Sequence, residues 1–472
     1  MRINERRTYM QERNVNRKPL MLVLISGAFV AILNQTLLGT ALPHIMEDLQ
    51  LDPAVAQWLQ SAFMLVNGIM IPITAFLIER FTTRALFISA LGSFAIGTFF
   101  AAVAPNFTML MIGRILQAAG AGIMMPLTQT IMFLIFPIHQ RGRAMGMFGL
   151  VIAFAPAIGP TLSGWLVEHF HWRSLFYVIL PIAIFDIILA YRILANVTKQ
   201  TFPKVDIPSI ILSTLGFGGL LYGFSMAGTE AYSWISLMVL APLIVGGITL
   251  YFFIRRQLRL EKPILEFRIF RYKIFTLSTA IGMISFFSMI GGAIILPIMM
   301  QDYMGFSPLM SGLMLLPGAI LMGLMNPITG RLFDRFGGKG LSITGLTIVT
   351  ITTFMFAILT TETSFLYLTI VHAIRMFGIS MVMMPVTTAG LNQLPNDLMP
   401  HGTAMNNTMR QMAGAIGTAA LISIMLDQGN PEQGLEGMMH GVNMAFLVSG
   451  IAAAAGLILA LYLKNTKPIQ DE

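Results

Sequence analysis

The 472-residue chain contains no cysteine, which excludes disulfides, thiolate chemistry and cysteine-based metal sites. Charge is scarce too: Asp, Glu, Lys and Arg make up 11% of the residues, against about 25% in soluble domains. The seven histidines are scattered without an HExxH or similar pair, so neither a metal site nor any other cofactor is expected. No GxxxxGK[ST] word is present, which argues against ATP as an energy source. Paired intramembrane carboxylates and Ser/His sets are missing as well, which disfavours a membrane enzyme. No cleavable leader is evident, because residues 1–19 are polar and basic and a full-length apolar run follows directly.

What is present is apolar: 56% of the residues are hydrophobic. A helix needs roughly 20 such residues to cross about 30 Å of hydrocarbon. Runs of that kind predict 14 spans, an all-α polytopic membrane protein. The first six are placed at 20–43, 54–78, 84–104, 107–135, 143–167 and 174–195. Two follow at 207–227 and 234–254, and the last six at 274–300, 308–330, 340–360, 364–388, 403–426 and 441–463.

A net charge of +8 would suggest a nucleic-acid partner in a soluble protein, but here it is read by loop. Of the 29 Lys and Arg, 25 fall on the side of the N-terminus and one, Arg173, on the other; Arg114, Arg375 and Arg410 lie within spans. The positive-inside rule then places both termini in the cytoplasm. Losing one span would reverse every later loop and destroy this asymmetry. The lipid bilayer is the expected partner, and nucleic acid is not.

The chain also repeats itself. AFLIERFTTR (75–84) follows span 2 and GRLFDRFGGK (330–339) follows span 10, while GRAM (142–145) and GTAM (402–405) open spans 5 and 13. Two six-helix halves, 20–196 and 274–463, are therefore expected around an inserted pair with its leading loop, 197–254, and a basic linker, 255–273. The tails are 1–19 and 464–472. Repeats of this kind put a binding site between the halves near the midplane. Within the two loops, Glu79, Arg80 and Arg84 correspond to Asp334, Arg335 and Lys339, with Gly330 at the start of the second. An acid beside bases at a helix end can pair with a neighbouring helix and latch one conformation. A solvated loop explains the bases but not the Gly-to-Gly spacing.

Gly146 to Trp165, GMFGLVIAFAPAIGPTLSGW, has span-like apolarity yet carries Gly146, Gly149, Gly159, Gly164, Pro156 and Pro160. Spanning helices tolerate these residues, small ones permit close helix contact and proline can place a kink. Polar groups inside other spans fall into few places. Asn34, Gln35, Thr36 and Thr40 suit either helix-to-helix bonds or substrate contacts. Arg114 and Gln117 share a face in span 4, with Arg114 about five residues from the external turn, so it can bond helix-end carbonyls or snorkel outward. Asn406, Asn407, Arg410 and Gln411 form one stripe in span 13. His372 in span 12 reads as packed. Asp186 is the one carboxylate well inside a span, with a pair to Arg192 as the alternative to a proton-carrying role. A carboxylate can carry a proton, whereas an arginine essentially cannot release one.

GRLFDRFGGK matches the facilitator loop motif GxLaDrxGrk, and the Gly146–Gly164 run resembles the antiporter motif of drug exporters. With QTLLGTALP, GRILQAAGAG, HWRSLF and NNTMRQMAGAIG, these stretches make the chain resemble the 14-helix drug:proton antiporter family of the major facilitator superfamily. Asn34-Gln35-Thr36 stands where many members have Asp-x-Thr, and that substitution resembles the lincomycin-resistance type of multidrug exporter. That resemblance implies a major facilitator fold, a bacterial cytoplasmic membrane and a monomer exporting small amphipathic compounds against protons. Asp186 and Arg114 would serve proton coupling, and Glu168 and Asp427 are alternative carriers near the external surface. Asn34, Gln35, Thr36, Gln117 and the span-13 stripe would line the cavity. A facilitator exporting a lipid or metabolite without drug specificity is the alternative.

Overall fold

The computed structural model describes residues 17–227 and 233–464. Most of the expected N-tail (1–16) and C-tail (465–472) lies outside the described residues. Within them, 14 helices are long and apolar enough to cross a membrane. The first six are α1 (Arg17–Leu49), α2 (Pro53–Arg80), α3 (Thr83–Ala102), α4 (Phe107–Ile135), α5 (Arg141–His169) and α6 (Ser174–Ile193). The next two are α7 (Ile207–Ala227) and α8 (Leu237–Gln257). The remainder are α9 (Lys273–Ile298), α10 (Pro308–Phe336), α11 (Gly338–Met355), α12 (Phe365–Ser380), α13 (Met383–Leu391), α14 (Met399–Gln428) and α15 (Gly434–Leu461). α12 and α13 together make one span.

Local chemistry starts and stops these helices. Thr82, Asn106, Ser307 and Ser364 each accept a backbone N–H in the first turn of α3, α4, α10 and α12, filling a donor the helix leaves open. α10 ends at Gly337, whose φ of 82° turns the chain into α11 and requires glycine. α1 runs on to Leu49, past the expected 43, because Pro43 is carried inside the helix.

α1–α6 form one bundle and α9–α15 the other. They meet where α5 lies on α10 and where α14 lies on α2 and α4. Toward the end that carries the basic loops, one apolar cluster is shared by both bundles and is rich in methionine, including Met145, Met322, Met384 and Met405. At the opposite end the cores are separate: one cluster belongs to the first bundle and another to the second. α7 and α8 pack on each other through Gly216, Gly219 and Gly246, and α7 also packs on α2 and α14. α8 turns Leu237, Ile244, Val245 and Tyr251 outward. An Arg256–Asp206 ion pair at 2.8 Å ties the pair at the basic end.

Candidate functional site

The crossing of α5 and α10 is built from small residues. A Cβ at Gly146 would stand 2.5 Å from the carbonyl oxygen of Asn326, and one at Gly149 would stand 2.7 Å from Met384. Gly330 lies against the Gly142 carbonyl, so the two backbones touch. Further along α5, Gly159 packs on Thr36 of α1, Gly164 faces open space, and Pro156 and Pro160 are exposed. Asn326 donates from Nδ2 to the Gly149 carbonyl at 2.8 Å.

At the basic end the crossing is closed by charge. The N-cap of α5, Gln140, makes no side-chain capping bond. Its function passes to the other bundle: Asp334 accepts the Gly142 and Arg143 N–H groups at 2.7 and 2.8 Å. A carboxylate at a helix N-terminus both fills open donors and meets the positive end of the helix dipole. Arg141 adds a bond from Nη1 to Asn392 at 3.1 Å.

The α2·α14 crossing is closed by a related device. His401 Nδ1 accepts the Glu266 N–H of the linker at 3.2 Å, so its proton sits on Nε2, which donates to Glu79 Oε1 at 3.0 Å. Thr130 bonds Thr403 at 2.6 Å and Asn407 donates to Gln129 at 2.7 Å, both joining α4 to α14. Among the described residues, every hydrogen bond between the two bundles lies at mid-depth or toward the basic end.

A profile of the Major Facilitator Superfamily matches residues 24–418. The chain belongs to that superfamily. It is 54% identical over 461 residues to the uncharacterized MFS-type transporter YcnB of Bacillus subtilis, with 97% of each chain covered. It is 42% identical over 459 residues to the lincomycin resistance protein LmrB of Listeria innocua, covering 95% of this chain and 97% of that one. Among solved structures, the proton:xylose symporter XylE superposes with a TM-score of 0.65 at 15% identity, covering 95% of this chain and 96% of that one. The protein is thus a multi-pass transporter of a bacterial cell membrane that moves small substrates, and not an enzyme.

The other residues singled out in this facilitator separate into distinct environments. Arg80 donates to the Pro203 carbonyl and Arg84 to the Leu194 carbonyl, so both hold the end of α6 and the loop that follows it, not the second half. Among the described residues no ion pair joins Arg335 or Lys339; Arg335 lies over the Phe336 ring. Arg114 donates to the Leu59 carbonyl at 3.2 Å and to Gln117 at 2.9 Å, and Asn34 donates to the same Gln117 oxygen at 3.2 Å. Gln117 passes a further bond to Thr98. The network knits α1, α2, α3 and α4 together, and Asn34, Arg114 and Gln117 are all buried. Gln35, Thr36 and Gln411 are half-buried.

Asp186 accepts from Ser26 at 2.5 Å and lies beside Gly27, whose Cβ would also meet Met124 and Phe87. It therefore faces α1 and the interior of its own half. Arg114 and Asp186 are not brought together: Arg114 is ten residues along α4 from Met124, about 15 Å at 1.5 Å per residue. Glu168 and Asp427 lie near the far ends of α5 and α14.

His401, Gln129 and Asn326 went unnoticed in the sequence. The GRAM/GTAM repeat was the available signal for His401, because it aligns Arg141 with His401. Arg375 also proves to be a structural knot: it donates to Ser288 of α9 and Thr353 of α11, with buried His372 one turn away against Gly318.

Proposed function

We propose that the chain is a drug:proton antiporter that exports amphipathic compounds from the cytoplasm by alternating access, as a monomer with both termini cytoplasmic. The observation that carries this reading is the capping of α5 by Asp334 across the two halves. The bond spans a seam where two backbones touch, so it exists only while the basic end is shut. Opening that end would return both N–H groups and the carboxylate to water, giving the seam two discrete arrangements of similar energy, as a switching element needs. With the basic end inside, the closed form faces outward.

Kinship with a protein named for lincomycin resistance supports a drug-like substrate, and the methionine-rich cluster suits an adaptable lining, since Met repacks around varied shapes. Asp186 is the proposed proton carrier, because α1, which it touches through Ser26, also meets α5 at Gly159 and so borders the moving seam. Arg114 acts by holding α1, α2 and α4 in one body. The inserted pair 207–254 packs outside the α2·α14 crossing and is peripheral to the path.

Substrate efflux in everted membrane vesicles, with and without a proton gradient, tests the reading. Uptake into the vesicles should require the gradient and collapse with a protonophore. Gradient-independent movement would replace antiport with facilitated export.

A further inference from the structure

The three arginines inside the spans are not equivalent. Arg114 and Arg375 are each bonded to backbone carbonyls and hydroxyl or amide groups; Arg375 leaves only Nη1 unpartnered, packed against Gly292 within its own half. Arg410, only 5% exposed, makes no hydrogen bond among the described residues, and its Nε and Nη1 are buried without a partner. The Phe286 ring of α9 lies 5.1 Å from the guanidinium carbon. A ring face offsets charge but leaves the in-plane N–H groups free.

Two further unpartnered groups stand beside it. Asn406, 3% exposed and one turn earlier on the same face of α14, leaves its Nδ2 free. Gln129 of α4, fully buried, accepts from Asn407 but leaves its own Nε2 free. All of these atoms are donors. On α14 they lie roughly 10–16 Å from its basic end, and the Gln129–Asn407 bond shows the two halves facing each other there. The acids on the surrounding helices lie elsewhere: Glu79 and Asp334 at the basic end, Glu168 and Asp427 at the far end. Asp186 is bonded within its own half. A buried cation with neither counter-ion nor hydrogen bond is costly in a membrane, and the cost is recovered when a ligand supplies the acceptors.

We propose that this cluster on α14, α4 and α9 is the recognition site for an anionic head group, a carboxylate, sulfonate or phosphate, carried by an amphipathic substrate. Arg410 supplies the charge, Asn406 and Gln129 the flanking donors, and the methionine-rich seam receives the apolar body. The inference rests on the export reading only in taking the bound compound to be cargo.

Binding is measured without any gradient, on purified protein in nanodiscs, by calorimetry with two probes of similar size and opposite charge: 8-anilinonaphthalene-1-sulfonate and tetraphenylphosphonium. Wild-type protein should bind the sulfonate saturably and at least about tenfold tighter than the phosphonium, the worth of one charge-assisted bond. Arg410→Lys should keep most of that affinity, and Arg410→Gln should lose about tenfold or more. Asn406→Asp serves where Arg410→Gln folds poorly. It leaves the arginine in place but gives it a carboxylate one turn away, and should abolish the preference equally. A preference for the phosphonium, or sulfonate binding unchanged in both Arg410→Gln and Asn406→Asp, overturns the proposal. Failure of gradient-driven efflux with sulfonate binding intact would instead overturn the export reading and leave the site standing.

Discussion

Replacing Asp334 by Asn tests the seam most directly. The native carboxylate accepts two backbone N–H groups at the start of α5, one per oxygen. Hydrogen bonds to a charged acceptor are worth about 1.5–3 kcal/mol each. Asparagine keeps one acceptor, turns an NH2 group toward the second N–H, and removes the charge that meets the helix end, worth about 0.3–1 kcal/mol at an exposed site. The Arg143 bond is exposed, so the low end of each range applies and the closed form should lose about 2 kcal/mol, near thirtyfold in the equilibrium constant. Glu79→Gln should do less, because a glutamine oxygen still accepts from His401. The absence of cysteine makes the assay clean: spin labels introduced at Gln140 and Asn396, both exposed at the basic end, report the distance between halves. Asp334→Asn should add a longer distance population and slow efflux, with Glu79→Gln intermediate. An unchanged distance distribution together with normal transport, at normal protein level, would refute the latch.

Gly146→Val should wedge α5 from Asn326, at a cost of about 1–3 kcal/mol for overpacking, and abolish efflux, whereas Gly164→Ala should pump normally; transport assays with both variants decide whether close contact matters. A cysteine placed at Val245 of α8 should resist a membrane-impermeant maleimide applied from either side, and rapid labelling would put the inserted pair on the water-filled path. Asp186→Asn should abolish gradient-driven efflux while leaving sulfonate binding measurable. If Asp186→Asn pumps with an unchanged pH profile, the carrier lies elsewhere, with Glu168 and Asp427 next to be tested.

Hydropathy carried the fold because lipid removes most alternatives: a run of some 20 apolar residues between polar turns has little to be but a spanning helix. The 14 spans were readable for that reason, while their ends were not, since α1 and α14 extend beyond the hydrocarbon into helix that hydropathy does not mark. The repeat pointed to the acids at two loop ends, but not to what they touch. The partners of Asp334 are backbone N–H groups of residues 142 and 143, which have no side-chain signature. Glu79 meets a histidine, and the matching position in the other half is an arginine, so the two halves close with different chemistry from one repeated pattern.

Polar residues inside spans were visible as a set, and the uncertainty lay in which way each one faces. In a helix apolar on all sides, periodicity does not separate the side toward a neighbour from the side toward a path. Asn34, Gln117 and Arg114 share a network that satisfies most of their donors within one half, so their polarity is used up in holding helices. Asn406 and Arg410 are just as buried but keep donors to spare. What marks Asn406 and Arg410 as recognition residues is therefore this remainder at the boundary between the halves, whereas the unpartnered Arg375 Nη1 lies within one half. That remainder depends on three helices converging, and it becomes countable only once they are in place.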